Sequence, residues 1–140
     1  KVISKYRLSE GFDKKRKTKI IDVKKLNKKL IEEIGLIKNY SLKYKNLKNK
    51  KIKGIIIDSH LSHYLTGKYV DICIVTKCDI NELSKRLKKK NFHKEKIREN
   101  LQAEIFDICH NEAIGRKHEV MIIDTTKGFN IKDVIQEMGG

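Results

Sequence analysis

Apolar residues recur at helical spacing in four stretches of this chain. Side chains three and four positions apart lie on one face of a helix, so each stretch predicts an amphipathic α-helix. Asp22, Asp79 and Asn130 begin three of the stretches and are residue types that cap helix N-termini. Gly35 can end the first helix. The predicted helices are residues 22–35, 79–87, 94–114 and 130–138.

Three short runs have the composition of buried β-strands. They are rich in Ile and Val, and they are apolar at consecutive positions, as in a strand that is covered on both faces of a parallel sheet. The alternation of these runs with helices predicts an α/β fold with a parallel sheet. The runs are Ile55–Ile57, Tyr69–Val75 and Val120–Ile123.

The segments outside these elements are polar. Residues 1–19 contain Gly11 and a basic run, and they predict a loop or short helix rather than core. Residues 43–53 are rich in Lys and Asn, which predicts a surface connection. With 140 residues, no proline and no internal repeat, we expect one domain over residues 1–140.

The charge and the cysteines limit the class of protein. A formal net charge of +15 attracts polyanions such as RNA and nucleotides, although a solvated Lys-rich surface explains it equally well. Three cysteines without a CxxC pair favour reduced thiols over a disulfide framework or a zinc site. No stretch reaches the ~18 consecutive apolar residues of a membrane span, so we expect a cytoplasmic protein without a membrane partner.

The run Ile55–Ile57 ends in Asp58, Ser59 and His60. Ligands of α/β proteins lie beyond the carboxyl ends of the strands, so an acid and an imidazole at this place indicate part of an active site. Asp58 is either a metal-ordering carboxylate or an ordinary acid that caps a loop. His60 is either a proton-transfer group or a loop histidine.

Five short motifs then occur in an order and spacing that resemble one family. The family is the adenylate kinase isoenzyme 6 type of archaea and eukaryotes, P-loop nucleoside monophosphate kinase-like ATPases associated with maturation of the small ribosomal subunit. The resemblance covers nearly the whole chain and is weakest over residues 36–53. The motifs are Asp58–His63, Val75–Cys78, Arg86–Phe92, Glu99–Glu104 and Ile123–Thr126.

The resemblance implies a three-layer P-loop NTPase fold and a set of site residues. Residues 1–21 correspond to the end of the monophosphate-binding region, and residues 89–99 correspond to the lid. The implied cofactors are ATP and Mg²⁺, with Asp58 ordering the metal through water and His60 lying near the phosphates. The other implied nucleotide-binding residues are Arg86 and Lys90, which neutralise charge, and Thr125 and Thr126, which lie near the adenine base.

The chain also departs from the family pattern. It begins with Lys rather than Met, and no part of it matches the family's first segment, which carries the GxxxxGK[ST] loop that cradles phosphates. We therefore expect that segment upstream on the same polypeptide or on a second chain, and we expect this chain alone not to turn over ATP. Lys77 and Lys90 stand where the family commonly has Arg, which replaces a two-pronged donor with a point charge.

The expected function of the intact protein is Mg-dependent adenylate kinase and ATPase activity coupled to small-subunit rRNA maturation. The expected partners are AMP and ATP, a small-subunit ribosomal protein and rRNA. Two alternatives remain: an assembly factor that holds a ribosomal protein and RNA, or a non-catalytic fragment whose other half lies elsewhere.

Overall fold

A computed structural model describes residues 2–14, 18–43 and 54–139 of the chain. Contacts within the chain separate it into two compact units, residues 1–69 and residues 70–140. The expectation of one domain stays a prediction.

The first unit begins with a short helix and a β-hairpin. Helix α1 spans Val2–Lys5, and strands β1, Ser9–Asp13, and β2, Thr18–Ile21, pair antiparallel. The prediction of a loop or short helix over residues 1–19 is therefore wrong for the strands. Their pairing places Gly11 opposite Ile20, and a strand that carries glycine and charged residues gives no alternating apolar signal.

Helix α2 spans Val23–Lys43. Its predicted cap is confirmed, because Asp22 Oδ1 accepts hydrogen bonds from the amides of Lys24, at 2.8 Å, and Lys25, at 3.1 Å. The helix continues beyond Gly35, however, since one glycine costs only about 1 kcal/mol against Ala inside a helix. The predicted apolar face is buried, and its members include Leu26, Leu30 and Ile34.

Side chains of α2 hold the rest of this unit. Lys5 and the Tyr6 hydroxyl both donate to Glu33 Oε1, which fixes the segment after α1 against α2. Asn27 donates to the carbonyl of Tyr64 at 2.5 Å and so fixes the 3₁₀ turn Ser62–Tyr64. A second 3₁₀ turn spans Gly67–Tyr69. The predicted connection over residues 43–53 lies outside the described residues except for Lys43.

The predicted strand at Ile55–Ile57 is wrong for the described residues. The segment has no strand partner, since β1 pairs with β2 and the other two described strands pair with each other. Ile56 is 96% exposed. An apolar run becomes a strand only where a neighbouring strand accepts its backbone hydrogen bonds, and the described residues offer none here.

The second unit contains two parallel strands and four helices. Strands β3 and β4 pair from Cys73 opposite Val120 to Lys77 opposite Asp124, which confirms the predicted parallel sheet. On one side Cys73 and Val75 pack with Ala113. The elements are β3, Cys73–Lys77; α3, Ile80–Lys89; α4, Lys94–Ile105; α5, Ile108–Gly115; β4, Val120–Asp124; and α6, Ile131–Glu137.

Local signals gave two correct features and two errors in this unit. Asp79 and Asn130 cap α3 and α6 as predicted. Strand β3 begins at Cys73 rather than Tyr69, because its pairing with β4 begins there. The predicted helix over residues 94–114 is two helices, which meet where Asp107 adopts a left-handed conformation with φ 54°. Apolar spacing continues across that break, so the sequence pattern did not show it.

The three cysteines are free thiols. Burial raises the pKa of the Cys73 and Cys109 thiols above the usual value. Through the described segments, no helix is both long and apolar enough to span a bilayer.

Candidate functional site

Asp58 and His60 lie in the first unit, in a turn that hydrogen bonds define. Ser62 donates to the carbonyl of Ser59 from its amide, at 3.0 Å, and from its hydroxyl, at 2.7 Å. The amide of Leu61 donates to the Ser59 hydroxyl at 3.1 Å. Asp58 and His60 are exposed, and neither side chain forms a hydrogen bond or ion pair with any described residue. Both groups are thus available to a ligand.

Asp58 and His60 border the same cavity of about 760 Å³. Its walls are mostly apolar and come from α1, α2 and the Ile55–Ile57 segment. A cavity of this size, with a few polar groups among apolar walls, is typical of small-molecule and cofactor sites. The structure therefore brings the two predicted residues to one cavity within the first unit.

Arg86, Thr125 and Thr126 come together in the second unit, at the carboxyl end of the sheet. The Arg86 Nη2 atom donates to the carbonyls of Thr125 and Thr126, both at 2.9 Å. Its Nη1 atom lies 3.4 Å from the Thr125 hydroxyl, and its Nε atom donates to Glu82 at 2.8 Å. Arg86 thereby fixes the turn after β4 against α3.

The two threonine hydroxyls are also engaged. Thr125 donates from its amide, at 2.8 Å, and from its hydroxyl, at 3.0 Å, to the carbonyl of Lys77. The Thr126 hydroxyl donates to Asp124 at 2.5 Å and accepts from the Asp79 amide at 2.9 Å. The hydrogen bonds from Thr126 lower the pKa of Asp124 below its usual value. The turn after β4 is therefore joined to the end of β3 and the start of α3.

Lys90 lies apart from that group. It is the C-cap of α3, and its amide donates to the carbonyl of Arg86 at 3.1 Å. Its side chain is exposed and makes no hydrogen bond or ion pair within the described residues. The ammonium group of Lys90 is available to a phosphate, whereas Arg86 is already bonded within the protein.

One polar group was not predicted as a site. Lys77 Nζ lies 2.7 Å from Asp107 Oδ1 and 3.4 Å from Glu104 Oε1. The hydrogen bond between Lys77 and Asp107 raises the pKa of Lys77 and lowers the pKa of Asp107. The two acids lie three positions apart, but their pairing with a lysine about 30 residues earlier leaves no local signal. The group borders a cavity of about 210 Å³, also lined by Arg86, Asn100 and Thr125.

The described residues do not form a complete set of protein ligands for a magnesium ion. Over residues 2–14, 18–43 and 54–139, no group of three or more His, Cys, Asp or Glu residues could hold a metal ion. Mg²⁺ in nucleotide enzymes is commonly held by one or two carboxylates together with waters and substrate phosphates. The exposed, unbonded carboxylate of Asp58 suits that role.

Comparison with protein families decides the wider assignment. A family model described as an AAA domain matches residues 1–107, which is more than half of the chain. The chain belongs to this AAA domain family. The mixed α/β architecture with a parallel sheet fits the P-loop NTPase-like fold that was predicted.

Several archaeal relatives carry the name "Putative adenylate kinase". The protein from Methanocaldococcus jannaschii is 33% identical over 136 residues, covering 97% of this chain and 64% of the relative. The Methanosarcina acetivorans protein is 33% identical over 125 residues, covering 89% and 60%. The Archaeoglobus fulgidus protein is 41% identical over 81 residues, covering 58% and 43%. The chain thus spans less than two thirds of the length of these relatives.

Proposed function

We propose that this chain is the larger part of an adenylate kinase and ATPase of the isoenzyme 6 type, which transfers a phosphoryl group from ATP to AMP. The observation that carries the proposal is the pair Asp58 and His60, which border one cavity and have no bonding partner within the described residues. The names of the archaeal relatives support the same reaction. The expected location is the cytoplasm.

The phosphate-binding loop belongs, in this proposal, to a further segment, supplied upstream or by a second chain. Its support is the length of the relatives and the unpaired Ile55–Ile57 run. Ile74 in β3 and Ile122 in β4 are also 41% and 48% exposed, more than a completed sheet would leave. Losing one preorganised donor at a reacting centre costs ~3 kcal/mol, so without the whole loop this chain alone has negligible activity.

Each predicted residue has a defined part in the reaction. Asp58 would hold Mg²⁺ through water, and the ion would supply neutralisation of the phosphate charge. His60 orients the acceptor or moves its proton. Lys90 places a positive charge on the phosphates, whereas Arg86 contributes its charge and also holds Thr125 and Thr126, the turn proposed to lie near the base.

Steady-state kinetics of the native full-length protein test this function. Conversion of ATP and AMP to ADP should require Mg²⁺, and His60→Ala should lower kcat about a hundredfold. Thr66→Ala changes an exposed residue of the same loop and should leave kcat unaltered. If the His60→Ala enzyme hydrolyses ATP and phosphorylates AMP at the wild-type rate, His60 has no part in the mechanism.

A second candidate is an assembly factor that holds a small-subunit ribosomal protein and rRNA. Its support is the net charge of +15 and a row of exposed lysines on and after α3 that form no ion pair within the described residues. These are Lys85, Lys88, Lys89 and Lys90. Affinity capture from cell extract with and without ATP should recover such a partner. Recovery of none in either condition would eliminate this role.

The remaining alternative is a non-catalytic fragment. A ligand that binds the native state stabilises it by RT ln(1 + [L]/Kd), so at a fixed concentration a tighter ligand raises the melting temperature more. In millimolar ATP and Mg²⁺, we expect no shift in the melting temperature of this exact chain and a clear shift for the full-length protein. A clear shift for the chain alone would contradict the proposal that its phosphate cradle lies elsewhere.

A further inference from the structure

Lys77, the last residue of β3, has three oxygen atoms of Glu104 and Asp107 within 3.4 Å of its ammonium nitrogen, and it donates hydrogen bonds to two of them. Its Nζ atom lies 2.7 Å from Asp107 Oδ1, 3.3 Å from the carbonyl of Glu104 and 3.4 Å from Glu104 Oε1. Its side chain is 26% exposed, so the charge is partly removed from water. A lysine with two hydrogen bonds and a second carboxylate nearby is fixed within the protein rather than free to bind a ligand.

The acceptors of Lys77 lie where α4 ends and α5 begins. Asp107 occupies the left-handed region there, with φ 54°, a conformation that is uncommon for residues other than glycine. Its carboxylate binds Lys77 through Oδ1 and lies 3.2 Å from His110 Nδ1 through Oδ2. These contacts hold Asp107 in a conformation that it adopts rarely, and so they hold the break between the helices in place.

Glu104 is fixed from the strand side as well. Its Oε1 atom accepts a hydrogen bond at 2.9 Å from the amide of Cys78, the residue after Lys77. Two consecutive residues at the end of β3 therefore determine the position of the last turn of α4. The same face of α4 contributes Asn100 and Glu104 to the 210 Å³ cavity, which Arg86 also lines.

We propose that Lys77 is a positioning residue, which sets where α4 ends relative to β3 and thereby keeps the cavity beside Arg86 and Thr125 in its binding shape. Lysine suffices at this position because its compact charge lies close to three separate oxygen atoms and donates hydrogen bonds to two of them. The part of the proposal that concerns nucleotide binding rests on the proposed function, whereas the part that concerns α4 does not.

Amide hydrogen exchange of the native full-length protein tests the part that concerns α4. Lys77→Met keeps the length of the side chain and removes its charge, so residues 104–111 should exchange about fivefold faster, the upper range for a partly exposed ion pair. Lys77→Arg should restore the protection. Lys85→Met, which removes an exposed lysine of α3 that forms no ion pair with any described residue, should change nothing in that segment.

A double-mutant cycle distinguishes the specific pair from general destabilisation. Asp107→Asn keeps a side chain that tolerates the left-handed conformation but removes the charge, and combining it with Lys77→Met should add little to either single change. Additive effects on exchange at residues 104–111, or protection in Lys77→Met equal to that of wild type, would overturn the proposal.

Kinetics then test the effect on the site. Lys77→Met should raise the KM for ATP about tenfold while kcat changes much less, and Lys77→Arg should recover the KM. An unchanged KM in Lys77→Met would refute positioning of the cavity. If the wild-type protein shows no kinase activity at all, the proposed function fails, and the exchange result still decides whether Lys77 positions α4.

Discussion

The polar residues beyond Ile55–Ile57 in the first unit and those beyond β3 and β4 in the second unit differ in their bonding. In the second unit, Arg86, Lys77 and both threonines are hydrogen-bonded to neighbouring elements. In the first unit, Asp58 and His60 have no such partner among the described residues. Those side chains of the second unit are bonded within the protein, whereas Asp58 and His60 are available for a ligand.

This difference indicates that the two groups of side chains have different roles in the proposed enzyme. Side chains that already satisfy one another determine the shape of a site, and substituting them should act first on stability or on KM. Side chains without partners cost little to replace in the folded state, so their substitution should act on the reaction. Measurements of stability and activity on the same variants can therefore separate the two groups.

The largest expected effect is that of Asp58→Asn in the native full-length protein. Loss of the carboxylate should lower kcat about a thousandfold, because a charged group at a reacting centre is worth several kcal/mol. The melting temperature should stay within a degree or two, since Asp58 has no described partner. Asp71→Asn, an exposed acid of the second unit, serves as control. Equal activity in the two variants would remove Asp58 from the site.

Ile56→Ser tests whether the first unit is completed by another strand. If a further strand covers this residue in the native protein, the change should lower the free energy of unfolding by about 2–3 kcal/mol. Leu36→Ser, at a residue of α2 that is 60% exposed, should cost about 0.5 kcal/mol. Urea unfolding of both variants measures the difference. If the two variants lose the same free energy of unfolding, Ile56 remains exposed in the native protein.

Arg86→Ala should destabilise the second unit, in contrast to Asp58→Asn. Without Arg86, the carbonyls of Thr125 and Thr126 lose a charged hydrogen-bond donor. This loss should lower the free energy of unfolding by about 1–2 kcal/mol. Arg86→Lys should recover only part of this, because one ammonium group does not reproduce the guanidinium fork. Lys85→Ala on the same helix is the matched control for urea unfolding. Wild-type stability in Arg86→Ala would show that the turn after β4 does not depend on this residue.

The smallest expected effect is in the pH dependence of stability. The hydrogen bond from Lys77 lowers the pKa of Asp107 in the folded state, so its contribution is present above the unfolded pKa of 3.8 and disappears as pH falls through the lower folded pKa. The difference in urea midpoint between wild type and Asp107→Asn should therefore be larger at pH 7 than at pH 3. An equal difference at the two pH values would contradict a role for the Asp107 charge.

Local chemistry in the sequence determined helices α2, α3 and α6, strands β3 and β4, and several of their ends. Asp22, Asp79 and Asn130 cap helices because each places a side-chain oxygen within reach of amides two or three residues on. Apolar spacing identified the buried face of α2, and consecutive Ile and Val residues identified β3 and β4. The motifs also singled out Arg86, Thr125 and Thr126, which the fold brings together.

The tertiary structure alone decided how the polar residues pair. Arg86 binds the turn at Thr125, 39 residues later, and Lys77 binds Asp107, 30 residues later. Contacts over such separations depend on which strands lie side by side, which periodicity does not specify. The same reason explains three features that the sequence pattern did not show. Each depends on a partner in space rather than on the residues next in sequence. They are the left-handed Asp107, the hairpin of β1 and β2, and the Ile55–Ile57 run, which has no strand partner among the described residues.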